Sequence, residues 1–447
     1  MKHSRGRPRR NPDAPAAIGQ KIELGLQRLT HDGRGIGSWQ GRTVFVEGAL
    51  PGEQVIARVT RARSKLIEAR VERLLVAGDQ RVPPRCRHAD LCGGCSLQHM
   101  AHQTQLGIKE QALAQQLQHF AGVQPERWMP ALTGPAYGYR QRTRVAMRWH
   151  SAERRLQVGY RQRHSSELIE VVECPILVPR LESLLKALPI LLAGLESAAE
   201  LGHVELFGGD APGMVVRYLG KLPEPDLKRL QGFAHEQGVG LWLQGDDQPP
   251  VASEASAVPA YQLADQRLRF AFAPGDFIQV NGWMNQAMVN QALDWLAVAP
   301  GDRVLDLFCG LGNFALPLAQ RGALVSGVEG DADMVERAAA NARENGLDGL
   351  HFYQADLSKG LAIPAPDQGY QAALLDPPRD GAERLVAGLA EAQVGRILYV
   401  SCNPATLARD AGILVGRGYR LIQAGVMDMF PQTAHVEAMA LFVSGKD

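Results

Sequence analysis

Two short runs of the 447-residue chain carry side chains that could do chemistry together. Leu398-Tyr-Val-Ser-Cys-Asn-Pro404 reads as a buried strand that delivers one thiol, Cys402, to a loop. Leu374-Leu-Asp-Pro-Pro-Arg379 reads as a neighbouring strand that ends on a carboxylate, Asp376, and two prolines. The pair suits methyl transfer to a pyrimidine carbon. C5 of uracil is too weak a nucleophile to take a methyl group directly. If a thiolate first adds to C6, the ring becomes an enolate with electron density at C5, which can then attack an electrophilic methyl. Alone, Cys402 would read as a small buried hydrophobe at a strand end; its neighbours favour the chemical reading.

A donor site is written upstream. Val304-Leu-Asp-Leu-Phe-Cys-Gly-Leu-Gly-Asn-Phe-Ala315 is a buried strand running through a Gly-rich turn into a helix, and Gly310 and Gly312 let a ligand approach the backbone. Gly310, Gly312 and Ala315 also satisfy the dinucleotide pattern, so NAD competes with S-adenosylmethionine here. Asp306 precedes the turn, and Glu329 ends the next strand, where a carboxylate can grip two ribose hydroxyls. Asp356 could accept from an adenine amino group, and Asp376 lies where the reactive end of a methyl donor would be. Hydride transfer needs neither Asp376 nor Cys402, which favours S-adenosylmethionine.

Six cysteines are present, at 86, 92, 95, 174, 309 and 402. Cys86-x5-Cys92-Gly-Gly-Cys95 with Cys174 downstream offers four thiolates to an iron–sulfur cluster or to zinc, with His88 and His99 keeping a mixed zinc site open. Spacing alone leaves the two equal. The C-x3-C-x2-C spacing of radical S-adenosylmethionine enzymes is absent. Cys309, inside the Gly-rich turn, reads as packing. The first twenty residues are basic and polar without an apolar core, and no stretch of eighteen uncharged apolar residues occurs. We therefore expect a cytoplasmic chain with reduced thiols and no membrane association.

These side chains need elements to position them. Residues 1–73 hold fifteen Lys and Arg against seven Asp and Glu, whereas the whole chain has a net charge of +1, so the basic end should meet a polyanion. Residues 1–16 read as a basic flexible arm. Residues 17–74 read as an OB-like β-barrel, with short β-type runs at Thr43–Glu47 and Gln54–Val59, Gly-rich turns, and Arg34, Arg42, Arg58, Arg61, Arg63 and Lys65 on its surface. With few aromatics, it should contact the backbone of a nucleic acid rather than its bases. Residues 75–275 form a central β-rich domain. A helix bearing Leu106, Leu113, Leu117 and Phe120 at helical spacing follows the cysteines, and a helical insert is expected near 180–196. Arg140, Arg142 and Arg144 share one face of a strand if its period is two, which would suit phosphates. A surface loop is expected near Gly245–Pro259. From 276 to 447 strands and helices alternate, the signature of an α/β fold with a parallel sheet.

Together these motifs, in this order, make the chain resemble the bacterial 5-methyluridine RNA methyltransferases, and within them the 23S ribosomal RNA branch that carries a TRAM barrel and an iron–sulfur cluster. The resemblance spans about residues 17 to 444. It implies a Rossmann-like class I methyltransferase domain behind a TRAM barrel and an iron–sulfur domain. In that family a strand Phe-x-Gln-Val-Asn opens the catalytic domain, matched by Phe277-Ile-Gln-Val-Asn281. The match implies that Gln279 touches the methionine part of the donor, and that Phe308, Asn313, Glu329, Asp356 and Asp376 also bind S-adenosylmethionine. It implies Cys402 as nucleophile and Glu437, in His435-Val-Glu437, as general base. It further implies a [4Fe–4S] cluster on Cys86, Cys92, Cys95 and Cys174. The expected partner is 23S ribosomal RNA, with no membrane, no protein partner and a monomeric state. Methylation of cytosine C5 in RNA, and a non-catalytic RNA-binding assembly factor with a vestigial donor site, remain the alternatives.

Overall fold

A computed structural model describes residues 17–246, 248–253, 256–360 and 369–445. The basic arm expected at residues 1–16 lies outside them. The described chain forms two compact units, one of residues 17–84, 95–109 and 432–434, the other of residues 85–94, 110–431 and 435–445.

The first unit is built on strands β1 (Lys21–Leu29), β2 (Gly35–Trp39), β3 (Arg42–Glu47), β4 (Gln54–Ala62) and β5 (Leu66–Val76), which close into a barrel in the order β1-β2-β3-β5-β4. Alternate residues point inward, so Ile22, Leu24, Leu26, Val44, Val46, Val55, Ala57, Val59 and Ile67 fill the interior. Of the basic residues expected on its surface, Arg58 is ion-paired to Glu72 at 2.8 Å and Arg34 to Asp32 at 2.9 Å. Arg61, Arg63 and Lys65 are exposed in and beside the β4–β5 turn.

Helix α1 (His102–Gln116) passes from the first unit to the second and ends in a π-helical turn at Leu117–Ala121. Leu113 and Leu117 are buried as the spacing predicts, but Phe120 is 69% exposed. The π turn adds a residue to the helical repeat, which breaks the 3.6-residue stripe before Phe120. Beyond it lies strand β6 (Arg127–Trp128).

A seven-stranded sheet follows. It contains β7 (Arg142–His150), β8 (Arg155–Arg161), β9 (Leu168–Glu170), β10 (Leu201–Phe207), β11 (Gly213–Tyr218), β12 (Gly240–Gln244) and β13 (Val251–Ala252), with helices α2 (Pro179–Ala193) and α3 (Glu224–Gln237) inserted. The α2 insert matches expectation. Helix α3 does not, because its polar sequence buries only Asp226, Leu230 and Ala234 and carries a weak apolar stripe. The arginine ladder is also corrected. Arg140 precedes β7, and Arg142 is folded back onto the buried Glu205, which also pairs with Arg144 at 3.3 Å. One buried carboxylate thus neutralises part of the row that the alternation offered to phosphates.

The catalytic half begins with the hairpin β14 (Ala260–Leu263) and β15 (Leu268–Ala271) and helix α4 (Gly282–Leu296). Then β16 (Arg303–Leu307), α5 (Ala315–Gln320), β17 (Leu324–Glu329), α6 (Ala332–Glu344), β18 (Leu350–Gln354), β19 (Ala372–Leu375), α7 (Glu383–Glu391), β20 (Arg396–Ser401), α8 (Pro404–Gly416), β21 (Tyr419–Met427) and β22 (Glu437–Ser444) alternate. The sheet order is β18-β17-β16-β19-β20-β22-β21-β6, with β18 to β20 parallel and β22 antiparallel to both its neighbours. Apolar clusters on its two faces pack the helices, one around Tyr399 and Leu407, the other around Met284 and Leu398. Residues 277–281 are not the strand that the resemblance implies. The segment joins no sheet and makes only an isolated bridge from Asn281, whose backbone is extended, to Arg140 before Asn281 caps α4 through its side chain.

Candidate active site

The strand order reverses between β16 and β19, and ligands of such sheets sit outside the carboxyl ends of the strands at that switch point. Asp306, near the end of β16, is completely buried, and neither carboxylate oxygen has a hydrogen-bond partner. Burial first, then the nearby charges of Asp376 and Glu329, raise its pKa well above the ordinary carboxylate range, against a weak favourable interaction with the Ala315 amide. Asp376, just past β19, is held up to about 7 by desolvation. Three carboxylates thus converge beneath the Gly-rich turn, an arrangement complementary to a cationic ligand.

The turn itself is shaped by its backbone. Phe308, Gly310 and Gly312 all have positive φ, at 63°, 53° and 90°. Such a conformation costs a bulky residue like Phe308 energy that a glycine does not pay. The Gly310 amide donates to Glu329 Oε2 at 3.1 Å, while Gly330 and Asp331 donate to Oε1 at 2.7 and 3.2 Å, so the turn and the end of β17 are locked together. Asn313 is held by Tyr261, whose hydroxyl donates to its Oδ1 at 3.0 Å, and by a reciprocal amide pair with Asn285 at 2.9 and 3.0 Å. Asp356 is exposed and accepts from Ser358 Oγ at 2.6 Å and from Lys359 at 3.0 Å, which keeps its carboxyl below the usual range. Gln279 lies half-buried in the extended segment before α4.

At the end of β20 the antiparallel register pairs Ser401 with Ala438, and one residue beyond each of them stand Cys402 and Glu437, whose carboxylate acts on the thiol. Burial pushes the Cys402 thiol up, the Glu437 and Asp376 carboxylates push it further, and the Arg379 guanidinium opposes them. Arg379 in turn meets the Nδ1 of His435 at 3.1 Å. Ser401 Oγ accepts from the Asn403 amide at 3.1 Å, and Asn403 Oδ1 caps α8 through the Ala405 amide, which fixes the loop carrying the thiol. Asp376 belongs to both groups, acting on Asp306 on one side and Cys402 on the other. Two members were not among the expected site residues. Asp306 is signalled by a carboxylate inside an otherwise apolar strand, and Arg379 by its place in the Asp-Pro-Pro-Arg run.

The cysteine segment is less assembled. All six cysteines are thiols rather than disulfides. Cys86 and Cys92 act on each other electrostatically, with burial raising both thiols, and Cys92 and Cys174 both bear on Tyr160. Arg163 fastens the loop by donating to the Ala89 carbonyl at 3.1 Å. Among the described residues no three or more His, Cys, Asp or Glu side chains are grouped so as to hold one metal ion. Four thiols are the donor set that an iron–sulfur cluster or a zinc ion takes, so the chemistry of these side chains fits either.

Comparison with known proteins follows the same lines. A family model described as tRNA (uracil-5-)-methyltransferase matches residues 101–444, and a TRAM domain model matches residues 15–71. Proteins named 23S rRNA (uracil(1939)-C(5))-methyltransferase RlmD from Pseudomonas putida and Pseudomonas aeruginosa are each 53% identical, over 98% of this chain and 96% of theirs. The crystal structure of Pyrococcus abyssi tRNA (uracil-54, C5)-methyltransferase in complex with S-adenosyl-L-homocysteine shares the fold. Its TM-score is 0.71 at 24% identity, covering 94% of this chain and all of that one.

Proposed function

This chain belongs to the tRNA (uracil-5-)-methyltransferase family, and from that premise we propose that it transfers a methyl group from S-adenosylmethionine to C5 of a uridine in 23S ribosomal RNA. The substrate follows the names of relatives aligned over almost the whole chain, in which the uracil is numbered 1939. The observation that carries the reading is the convergence of Glu437, Asp376 and Arg379 on the Cys402 thiol, just past the Ser401–Ala438 pair.

S-adenosylmethionine would supply an electrophilic methyl on a sulfonium. Asp376 and the buried Asp306 would face its cationic part and Glu329 its ribose hydroxyls, and Gln279, Phe308, Asn313 and Asp356 complete the proposed donor site. The uridine must leave its stack to reach the thiol. Cys402 then gives up its proton to solvent water, and the thiolate bonds to C6, which places an electron pair on C5. After C5 takes the methyl, Glu437 accepts the C5 proton, the C5–C6 double bond re-forms, and the C6–S bond breaks to release the thiolate. Arg379 stabilises the thiolate against two neighbouring carboxylates.

We further propose a [4Fe–4S] cluster on Cys86, Cys92, Cys95 and Cys174, with a structural or RNA-binding rather than catalytic part. The proposed domains are the arm at 1–16, the TRAM barrel at 17–74, the cluster-bearing region at 75–275 and the methyltransferase domain at 276–447. A monomer acting on cytoplasmic ribosomal RNA completes the reading. The test is transfer of labelled methyl from S-adenosylmethionine to a 23S ribosomal RNA fragment, with nucleoside analysis of the product. 5-Methyluridine supports the proposal, whereas 5-methylcytidine or an unlabelled RNA overturns it.

A further inference from the structure

Trp283 stands at the start of α4 with half its surface exposed, 51%, and among the described residues it stacks on no other aromatic ring. Its position along the fold is set by three contacts. The Leu296 carbonyl, at the far end of α4, accepts from Arg396 at the start of β20 at 2.6 Å. Gln291 reaches the Met439 sulfur at 3.6 Å, and Met439 pairs with Val400. Helix α4 therefore runs antiparallel to β20. Trp283, eight residues before Gln291, lies about 12 Å further along the helix axis. Cys402 lies two residues past Val400, about 7 Å along the strand in the same direction. Ring and thiol thus share the end of the sheet where the reaction is proposed.

The ring is also held in place. A Cβ on Gly134 would lie 2.4 Å from Trp283 Cε3 and 2.7 Å from Cζ3, so the six-membered ring rests directly on the Gly134 backbone, where only glycine fits. Gly134 follows Leu132, which bridges Met427, the register partner of Glu437. The indole is therefore braced by the segment that continues from the Glu437 rung. Arg140, whose backbone bridges Asn281, brings a cation to the same segment.

We infer that the Trp283 indole is a stacking platform for an RNA base flanking the target uridine. The inference rests on the proposed function. A uridine taken out of its stack leaves its neighbours with an uncovered π-face, and an exposed rigid aromatic beside the reaction site replaces that lost partner. An indole provides such a face to any base, so the contact contributes to RNA binding and placement with little base preference.

The test compares full-length wild-type protein with Trp283→Phe and Trp283→Leu, measuring KM for a 23S ribosomal RNA fragment and, by calorimetry, the affinity for S-adenosylmethionine. Leucine keeps apolar bulk on Gly134 but cannot stack, whereas phenylalanine can do both. The expected result is a KM for RNA raised about tenfold in Trp283→Leu and within about threefold of wild type in Trp283→Phe, with donor affinity equal in all three. An RNA abasic at the flanking position should raise the wild-type KM similarly and make the Leu and wild-type proteins alike. Equal KM values for the Leu and Phe variants, or a Leu effect that persists undiminished on every abasic RNA, would overturn the inference. Failure of the wild-type protein to methylate RNA would instead overturn the proposed function.

Discussion

Cys402 and Glu437 each lie one residue beyond the last β20–β22 pair, Ser401 with Ala438, and the Glu437 carboxylate acts on the Cys402 thiol. Burial raises the thiol's pKa and the Glu437 carboxylate adds to it, so the resting enzyme holds Cys402 largely protonated at neutral pH. A thiol in that state is protected from oxidation until substrate and Arg379 favour the anion. In the proposed mechanism the same carboxylate that disfavours the thiolate collects the proton from C5.

Replacement of the nucleophile separates chemistry from binding. Cys402→Ala should lower methyl transfer by about a thousandfold or more. Binding of S-adenosylmethionine, measured by calorimetry, should stay near wild type. Wild-type turnover in this variant would falsify the nucleophile assignment.

Glu437→Gln should trap the reaction after methylation, since the C5 proton then has no acceptor. The expected product is a covalent protein–RNA adduct that survives a denaturing gel and maps by peptide analysis to Cys402. Normal product release without an adduct would remove Glu437 from the base role.

Donor binding should depend on pH through Asp376. In the free protein its carboxyl is held up to about 7, so below that pH it must lose a proton before it can attract a sulfonium. The sign follows: affinity for S-adenosylmethionine falls as pH falls, about tenfold between pH 8 and pH 6, and levels off above the pKa. In Asp376→Asn the affinity should be lower and this dependence gone. Titration calorimetry across the range decides it; an unchanged slope in the variant would exclude Asp376 as the source.

Asp306 trades stability for function. Its folded pKa lies well above the unfolded value, so the folded state prefers the protonated form and the burial penalty grows as pH rises past the ordinary carboxylate range. Asp306→Asn should raise stability by about 1 kcal/mol at neutral pH. The gain should vanish as pH falls towards about 4. The same variant should bind S-adenosylmethionine at least about tenfold more weakly. Denaturation midpoints at both pH values, with calorimetry, check both halves, and a destabilised variant with unchanged donor affinity would refute them.

Anaerobically purified protein should be brown and contain about four irons and four sulfides per chain, with Cys174→Ser losing most of both. One zinc and no iron would overturn the cluster.

Much of this was legible in the chain. Strands ending on Asp376 and Ser401, and a Gly-rich turn after β16, are local patterns, because a buried parallel strand needs a continuous apolar run and a ligand-binding turn needs small residues. The alternation in residues 19–74 likewise encodes the inward faces of a barrel. Periodicity misled where the backbone departed from a regular repeat, as at Phe120 after the π turn, and where a helix buried too little to leave a stripe, as in α3. The segment at 277–281 looked like a strand and became a helix cap, since no neighbouring strand was there to complete a ladder.

The sequence by itself determined which side chains were available: one thiol near an Asp-Pro-Pro-Arg run, carboxylates at strand ends, and four cysteines in a spacing fit for metal. Only the tertiary structure decided which of them meet. The antiparallel return of β22 brings Glu437 to act on Cys402, the strand-order reversal brings Asp306, Glu329 and Asp376 beneath one turn, and Glu205 pairs with Arg142 and Arg144 and offsets part of their charge. Charge interactions depend on separation and burial in space, and neither can be read from separation along a chain.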